Sequence, residues 1–129
     1  MGVRIGYPLE QIKEVTLDLS QAANTYDAIT ASGDVMIHNI TLYVTVSGAT
    51  FTSLAVQSNQ TTAVTILNST DGARANITAG KNLATTLAQT APWSLRSGQK
   101  IQYTIAGSTG TGTVKMAVFY RQISGGATL

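Results

Sequence analysis

Asp34-Val-Met-Ile-His-Asn-Ile-Thr-Leu-Tyr-Val-Thr-Val46 is the longest apolar-rich stretch of the chain, and it decides the fold. From Ile40 onward, aliphatic residues alternate with Thr and Tyr, which places one aliphatic row on the core-facing side of a β-strand. Val35 and Ile37 are apolar with the opposite parity, so the alternation slips by one residue before Ile40. The slip predicts a β-bulge near Asn39, in a long strand that bends and can serve two sheets.

Shorter segments on both sides of this stretch carry strand signals. They are residues 12–19, 25–31, 54–58, 64–67, 74–78, 101–105 and 113–121. Turn chemistry separates them at residues 47–50, at Asp71-Gly72 and in a glycine-rich hairpin loop over residues 107–112. Residues 83–87 fit a helical turn as well as a loop, so we expect at most one short helix. Seven to nine short strands predict an all-β protein, an antiparallel β-sandwich.

The same alternation predicts which side chains form the core. A chain of 129 residues is one domain that can bury roughly two-thirds of the surface of its unfolded form. Nine side chains are expected to be buried: Ile40, Leu42, Val44, Val56, Ile101, Ile105, Val114, Met116 and Val118.

Composition excludes several classes of partner. Only 11% of the residues are charged, and the net charge of +2 comes from scattered basic residues with no basic run. Nucleic-acid binding needs a concentrated basic patch, so it is not expected. The absence of Cys excludes disulfides and thiolate metal sites. The first residues lack the apolar core of a secretory signal, and no stretch is apolar enough to span a membrane.

The chain divides into an arm, a body and a tail. Residues 1–11 read as an extended N-terminal arm in which Val3, Ile5, Tyr7 and Leu9 form one apolar edge. The arm is interpreted either as a segment that docks on a neighbouring subunit or partner, or as an edge strand of its own domain. Residues 12–123 form the β-sandwich domain, and residues 124–129 are predicted to be a flexible tail.

Residues that could carry out chemistry are sparse. A metal site of the kind found inside β-barrels needs two or three His with a carboxylate, and His38 is the single histidine. No Gly-x-Ser-x-Gly elbow is present to expose a nucleophile. We therefore predict no enzyme activity, no metal and no cofactor. His38 is expected at the bulge, hydrogen-bonded to the backbone.

Trp93 is the one tryptophan and the main candidate ligand contact. An exposed Trp can stack on a sugar ring, as in carbohydrate-binding sandwiches. The favoured interpretation is that Trp93, between Pro92 and Leu95, closes one end of the sandwich. The oxygen-bearing side chains of Asn68, Asp71 and Asn76 are interpreted as a turn rather than a calcium site.

The C-terminal third carries a family resemblance. Residues 93–105, then a glycine-rich hairpin, then Val114 to Tyr120 resemble the strand, turn and hairpin pattern of jelly-roll proteins. In this respect the chain is similar to small accessory proteins of tailed-phage virions, of the capsid decoration or cement type. Gln99 stands where these proteins usually have an acidic residue after the glycine.

The resemblance implies a jelly-roll-like fold and a non-enzymatic structural role in a virion. The expected partners are copies of the chain itself, as a homotrimer, and the major capsid protein or another virion protein. The alternative function is a carbohydrate-binding or adhesin module with Trp93 in the sugar site.

Overall fold

Six β-strands make up nearly all of the regular structure in the computed structural model, which describes residues 9–83, 85 and 92–129. The strands are β1 (Gln11–Asp18), β2 (Asn24–Thr30), β3 (Val35–Ser58), β4 (Thr65–Leu67), β5 (Trp93–Leu95) and β6 (Lys100–Gln122). One turn of 3-10 helix, Arg74–Asn76, is the helical element of the described residues. The predicted all-β class is confirmed.

Two very long strands, β3 and β6, organise the sheet because they pair with each other antiparallel along their lengths. The first part of β3 pairs with the last part of β6, and β1 and β5 flank this half. The last part of β3 pairs with the first part of β6, and β2 and β4 flank the other half. We call these four-stranded halves layer 1 and layer 2.

The two layers enclose a single hydrophobic core. All nine side chains predicted to be buried are at most 1% exposed, and they belong to one cluster that draws on both layers. Most positions in the long strands alternate between buried and exposed, so each layer has one face on the core and one outer face. Eight strand segments in two antiparallel layers make the architecture of a jelly roll, as predicted.

The bulge in the longest strand is confirmed. The register between β3 and β6 shifts between Ile37 and Asn39, which lets Val35, Ile37 and Ile40 all face the core. A second shift follows Val44, and it places Val46 outside with half of its side chain exposed. The expectation that Val46 continues the core-facing row is therefore wrong, because the inserted residue reverses the parity a second time.

The sequence signals for two turns belong instead to a corner in the sheet. Residues 47–50 lie inside β3, and residues 107–112, predicted to be a hairpin loop, lie inside β6. Thr50, Gly107 and Gly112 have positive φ, and register shifts accumulate between Val46 and Ser53. Both strands thus bend sharply without ending, so the predicted turn and the predicted hairpin loop are wrong. The turn-forming residues are needed for the bend itself.

Three further expectations differ from the structure or fall outside it. Arg74 to Asn76, interpreted as part of a strand, form the 3-10 turn. In the predicted flexible tail, Ala127 is buried, and the backbone N–H of Ser32 donates to the Thr128 carbonyl at 2.9 Å. Of residues 83–87, which were predicted to form at most a short helix, 84, 86 and 87 lie outside the described residues.

Asp34 joins the chain segments that meet at the start of β3. One carboxylate oxygen accepts from the backbone N–H of Ser97 at 3.0 Å, and the other accepts from the Arg96 guanidinium at 3.2 Å. Its own N–H donates to the Ser124 hydroxyl at 3.0 Å. The Ser97 hydrogen bond, together with Arg96, lowers the pKa of Asp34 below its ordinary value of 3.8.

The Asp34 contacts predict a pH-dependent contribution to stability. Because its pKa is lower in the folded state, the carboxylate stabilises the fold above pH 3.8, and this effect is lost as the pH falls through the folded pKa. Asp34→Asn should lower the urea midpoint at neutral pH, and the difference from the wild type should close on acidification. Ser124→Ala, which removes a contact that does not titrate, should give a difference that stays constant with pH. A constant difference for Asp34→Asn as well would contradict the prediction.

Candidate assembly surface

The acidic and histidine side chains of the described residues are spread out over the molecule rather than clustered. Among residues 9–83, 85 and 92–129, no group of three or more His, Cys, Asp or Glu could hold a metal ion. The same part of the chain contains no helix with the length and hydropathy needed to span a bilayer.

His38 and Trp93, the two side chains considered for chemistry or ligand binding, lie at the bulge and on β5. His38 is half-buried at the register shift, but its Nε2 atom has no hydrogen-bond partner in the described structure, so the expected backbone bond to this atom is not formed. Trp93 pairs with Ile37 and packs against the core, and its indole N–H is buried without a partner there. Trp93 is therefore partly buried, as expected for a side chain that packs at the end of the sandwich.

A polar cavity of about 250 Å³ lies beside the 3-10 turn. Its lining residues are Asp71, Asn76, Lys81, Asn82 and Leu83. The Asp71 carboxylate already accepts from the Asn68 amide at 3.0 Å, and the Asn76 amide donates to the Asp71 carbonyl at 3.2 Å. These bonds are those of a turn, as predicted, and the volume is smaller than the roughly 300–1,000 Å³ of typical ligand sites.

The outer face of layer 1 is the most apolar surface of the described structure. The pairing of the strands places Ile12 next to Phe119 on this face, and Tyr43 next to Lys115. The large apolar side chains that the described residues expose all lie on this face or directly beside it: Leu9, Ile12, Met36, Tyr43, Val46 and Ile123. Ile12 is 62% exposed, and Tyr43 is 43% exposed.

The basic groups on the outer face of layer 1 are paired with carboxylates. The Lys115 ammonium lies 3.6 Å from the Glu14 carboxylate, and the Arg121 guanidinium lies 3.9 Å from Glu10. Since these pairs are exposed, each contributes little to stability. The positive charge of each of these basic groups is therefore balanced by a nearby carboxylate.

The outer face of layer 2 is polar, and several of its side chains hydrogen-bond to each other. The Thr25 and Thr104 hydroxyls lie 2.8 Å apart, and Asp27 accepts from Lys100 at 2.6 Å and from Gln102 at 2.8 Å. The Lys100 hydrogen bond, and then that of Gln102, lower the pKa of Asp27. The two faces of the molecule therefore differ in chemistry, and layer 2 presents an ordinary hydrated surface.

The predicted arm reaches the described structure only at its last residues. Val3, Ile5 and Tyr7 lie outside the described residues. Leu9 is 79% exposed directly before β1, and Gln11 is already the first residue of that strand. The sequence did not lead us to predict the apolar outer face of layer 1 beside this segment. The available signal was that Ile12 and Phe119 have the parity opposite to the core residues of their strands.

Comparisons with known proteins detect similarity at the level of the fold. No family model and no curated protein matches the sequence. The chain is similar to a chain of the cyanophage Pam1 capsid asymmetric unit, with 16% identity, a TM-score of 0.59, and coverage of 94% of this chain and 91% of that chain. It is also similar to a chain of the acid-stable capsid of Helicobacter pylori bacteriophage KHP30, with 12% identity, a TM-score of 0.56, and 94% of each chain covered.

Proposed function

We propose that this protein is a non-enzymatic structural component of a viral particle that binds and stabilises a capsid shell. The observation that carries the proposal is the likeness of nearly the whole chain to chains of two phage capsids, with most of each of those chains covered as well. Jelly rolls serve viral capsids but also lectins, so the fold alone does not decide between them. Trp93 is half-buried and packs against the core, which favours the structural role.

In this proposal the protein decorates the shell as a homotrimer, and the major capsid protein or another virion protein is its partner. The low charge of the chain supports close contact with other protein surfaces. The arm, with Val3, Ile5, Tyr7 and Leu9, provides attachment by adding a strand to an exposed sheet edge, where alternate side chains fill pockets.

Deletion of residues 1–9 is expected to weaken shell binding by about tenfold or more while leaving the melting temperature of the body nearly unchanged. The body should remain stable because Leu9 is exposed and β1 begins only at Gln11. The measurement is co-sedimentation of the full chain and of residues 10–129 with shells of its virus from which the protein has been removed, alongside thermal unfolding of both forms.

A second variant combines Val3→Ala with Ile5→Ala in the full-length chain, which keeps the arm but removes two of its apolar side chains. This variant should also weaken shell binding. If the full chain does not sediment with the shells, the decoration proposal is wrong. If the truncated chain binds as well as the full chain, the role of the arm is wrong and the shell contact lies in the body. Binding to a glycan array that is lost in Trp93→Ala would favour the carbohydrate-binding alternative.

A further inference from the structure

We infer that copies of this chain associate through the outer face of layer 1, with Ile12, Tyr43 and Phe119 at the contact. The inference deepens the proposed function, since it rests on the proposed homo-oligomer and assigns its interface. The outer face of layer 2 is then the surface that stays in solvent within the oligomer.

The distribution of apolar side chains supports layer 1 over layer 2. Isolated exposed apolar residues are common on any protein, but their concentration on and beside one face marks an interaction surface. Ile12 and Phe119 lie side by side across β1 and β6, and Tyr43 lies two rows further along β3. Aromatic residues are enriched in interface cores, and this face supplies two of them.

The charge arrangement indicates that the occupant is another copy of the chain. A face that meets copies of itself about a two-fold or three-fold axis places like charges near each other, so uncompensated charge would oppose association. Here Lys115 is paired with Glu14, and Arg121 is paired with Glu10, within one protomer. The face can therefore approach itself without strong repulsion.

Association through the outer face of layer 1 is also favoured over the addition of a strand at the edge formed by β1. Within the described residues β1 pairs with β6 alone, so its other side is an edge. Lys13 has the same parity in β1 as the core-facing residues, but at this edge it is exposed. A charged residue at such a position opposes the addition of another strand, which protects the edge.

The size of the face sets the expected affinity. Three strands about 4.8 Å apart and about eight residues long, with the three-residue β5 beside them, give a face of about 400 Å². Two such faces bury about 800 Å², the size of a weak and transient interface, so the dissociation constant should be micromolar or higher. Measurements must therefore extend above about 100 μM protein.

The test is sedimentation equilibrium of the full-length protein and three variants. The wild type should give a multiple of the 13.5 kDa chain mass. Ile12→Lys and Tyr43→Glu should each raise the dissociation constant about tenfold or more, because each places a charge in the contact. Ile12→Lys has Glu10 and Glu14 two residues away on either side, so the fold should tolerate it. Gln57→Lys is the matched control, an exposed position on the outer face of layer 2, and should leave association unchanged.

A wild type that remains at 13.5 kDa above 100 μM would overturn the inference. The inference would also be overturned if the Ile12→Lys and Tyr43→Glu proteins folded and associated like the wild type, or if Gln57→Lys were the one variant that disrupted association. A thermal melt of each variant separates loss of association from loss of the fold. Shell binding is measured separately by co-sedimentation. A protein that associates as expected but does not bind shells refutes the proposed decoration and leaves this interface standing, whereas a monomer that binds shells refutes the interface alone.

Discussion

Leu42→Ala and Ile105→Ala are each expected to reduce the free energy of unfolding by about 2–5 kcal/mol. Both side chains are 1% exposed. Leu42 lies opposite Met116 in layer 1, and Ile105 lies opposite Leu54 in layer 2. Because the layers share one core, truncating either residue loses apolar burial and leaves a cavity that the stiff sheets cannot close. Urea denaturation at a fixed protein concentration measures the change.

Thr41→Ala is the matched control for Leu42→Ala. Thr41 is the preceding residue and faces outward, where substitutions usually change stability by less than about 0.5 kcal/mol. A Leu42→Ala midpoint equal to that of Thr41→Ala would mean that the orientation of β3 is wrong. A urea midpoint for Ile105→Ala equal to that of the wild type would mean that layer 2 does not contribute to the shared core.

Gly110→Ala is expected to destabilise the protein by about 3 kcal/mol, at the upper end for an overpacked site. A methyl group at Gly110 would overlap the carbonyl oxygen of Ala49, and it would lie only 2.7 Å from the backbone nitrogen of Phe51. Both are backbone atoms of β3 at the corner, so they cannot move aside without separating the two long strands. In a free hairpin loop, as the sequence alone suggests for this segment, the same substitution would be tolerated.

Gly125→Ala provides the comparison for Gly110→Ala, since both glycines lack a positive φ and a methyl group at Gly125 would meet nothing within 4 Å. Its denaturation midpoint should stay close to that of the wild type. Equal midpoints for the two variants would argue that β6 does not pack against β3 at the corner.

Local pattern was sufficient for most of the strand segments that have one buried face. The alternation of aliphatic and polar residues located all nine predicted core side chains and the bulge before Ile40, because a half-buried strand can change parity only where a residue is inserted into it. The same reasoning failed at Val46, where a second register shift reverses the parity without a gap in the apolar pattern. It also failed at residues 107–112, where glycines that favour a loop instead bend a continuous strand.

The candidate surface could be predicted from the sequence only in part. Ile12 and Phe119 are visible as apolar residues of outward parity, but their strands are separated by about a hundred residues in the chain. Only the pairing of β1 with β6 makes them neighbours, and only the pairing of β6 with β3 adds Tyr43 to the same face.

Residue periodicity was enough to predict the all-β class and nine side chains of the core. Long-range pairing was needed to join the predicted turn at residues 47–50 and the predicted loop at residues 107–112 into one corner, since the contacts between β3 and β6 override local turn preference. The same pairing determines which outer face is apolar. An outward side chain acquires its neighbours from other strands, and a strand's own sequence carries no information on which strands those are.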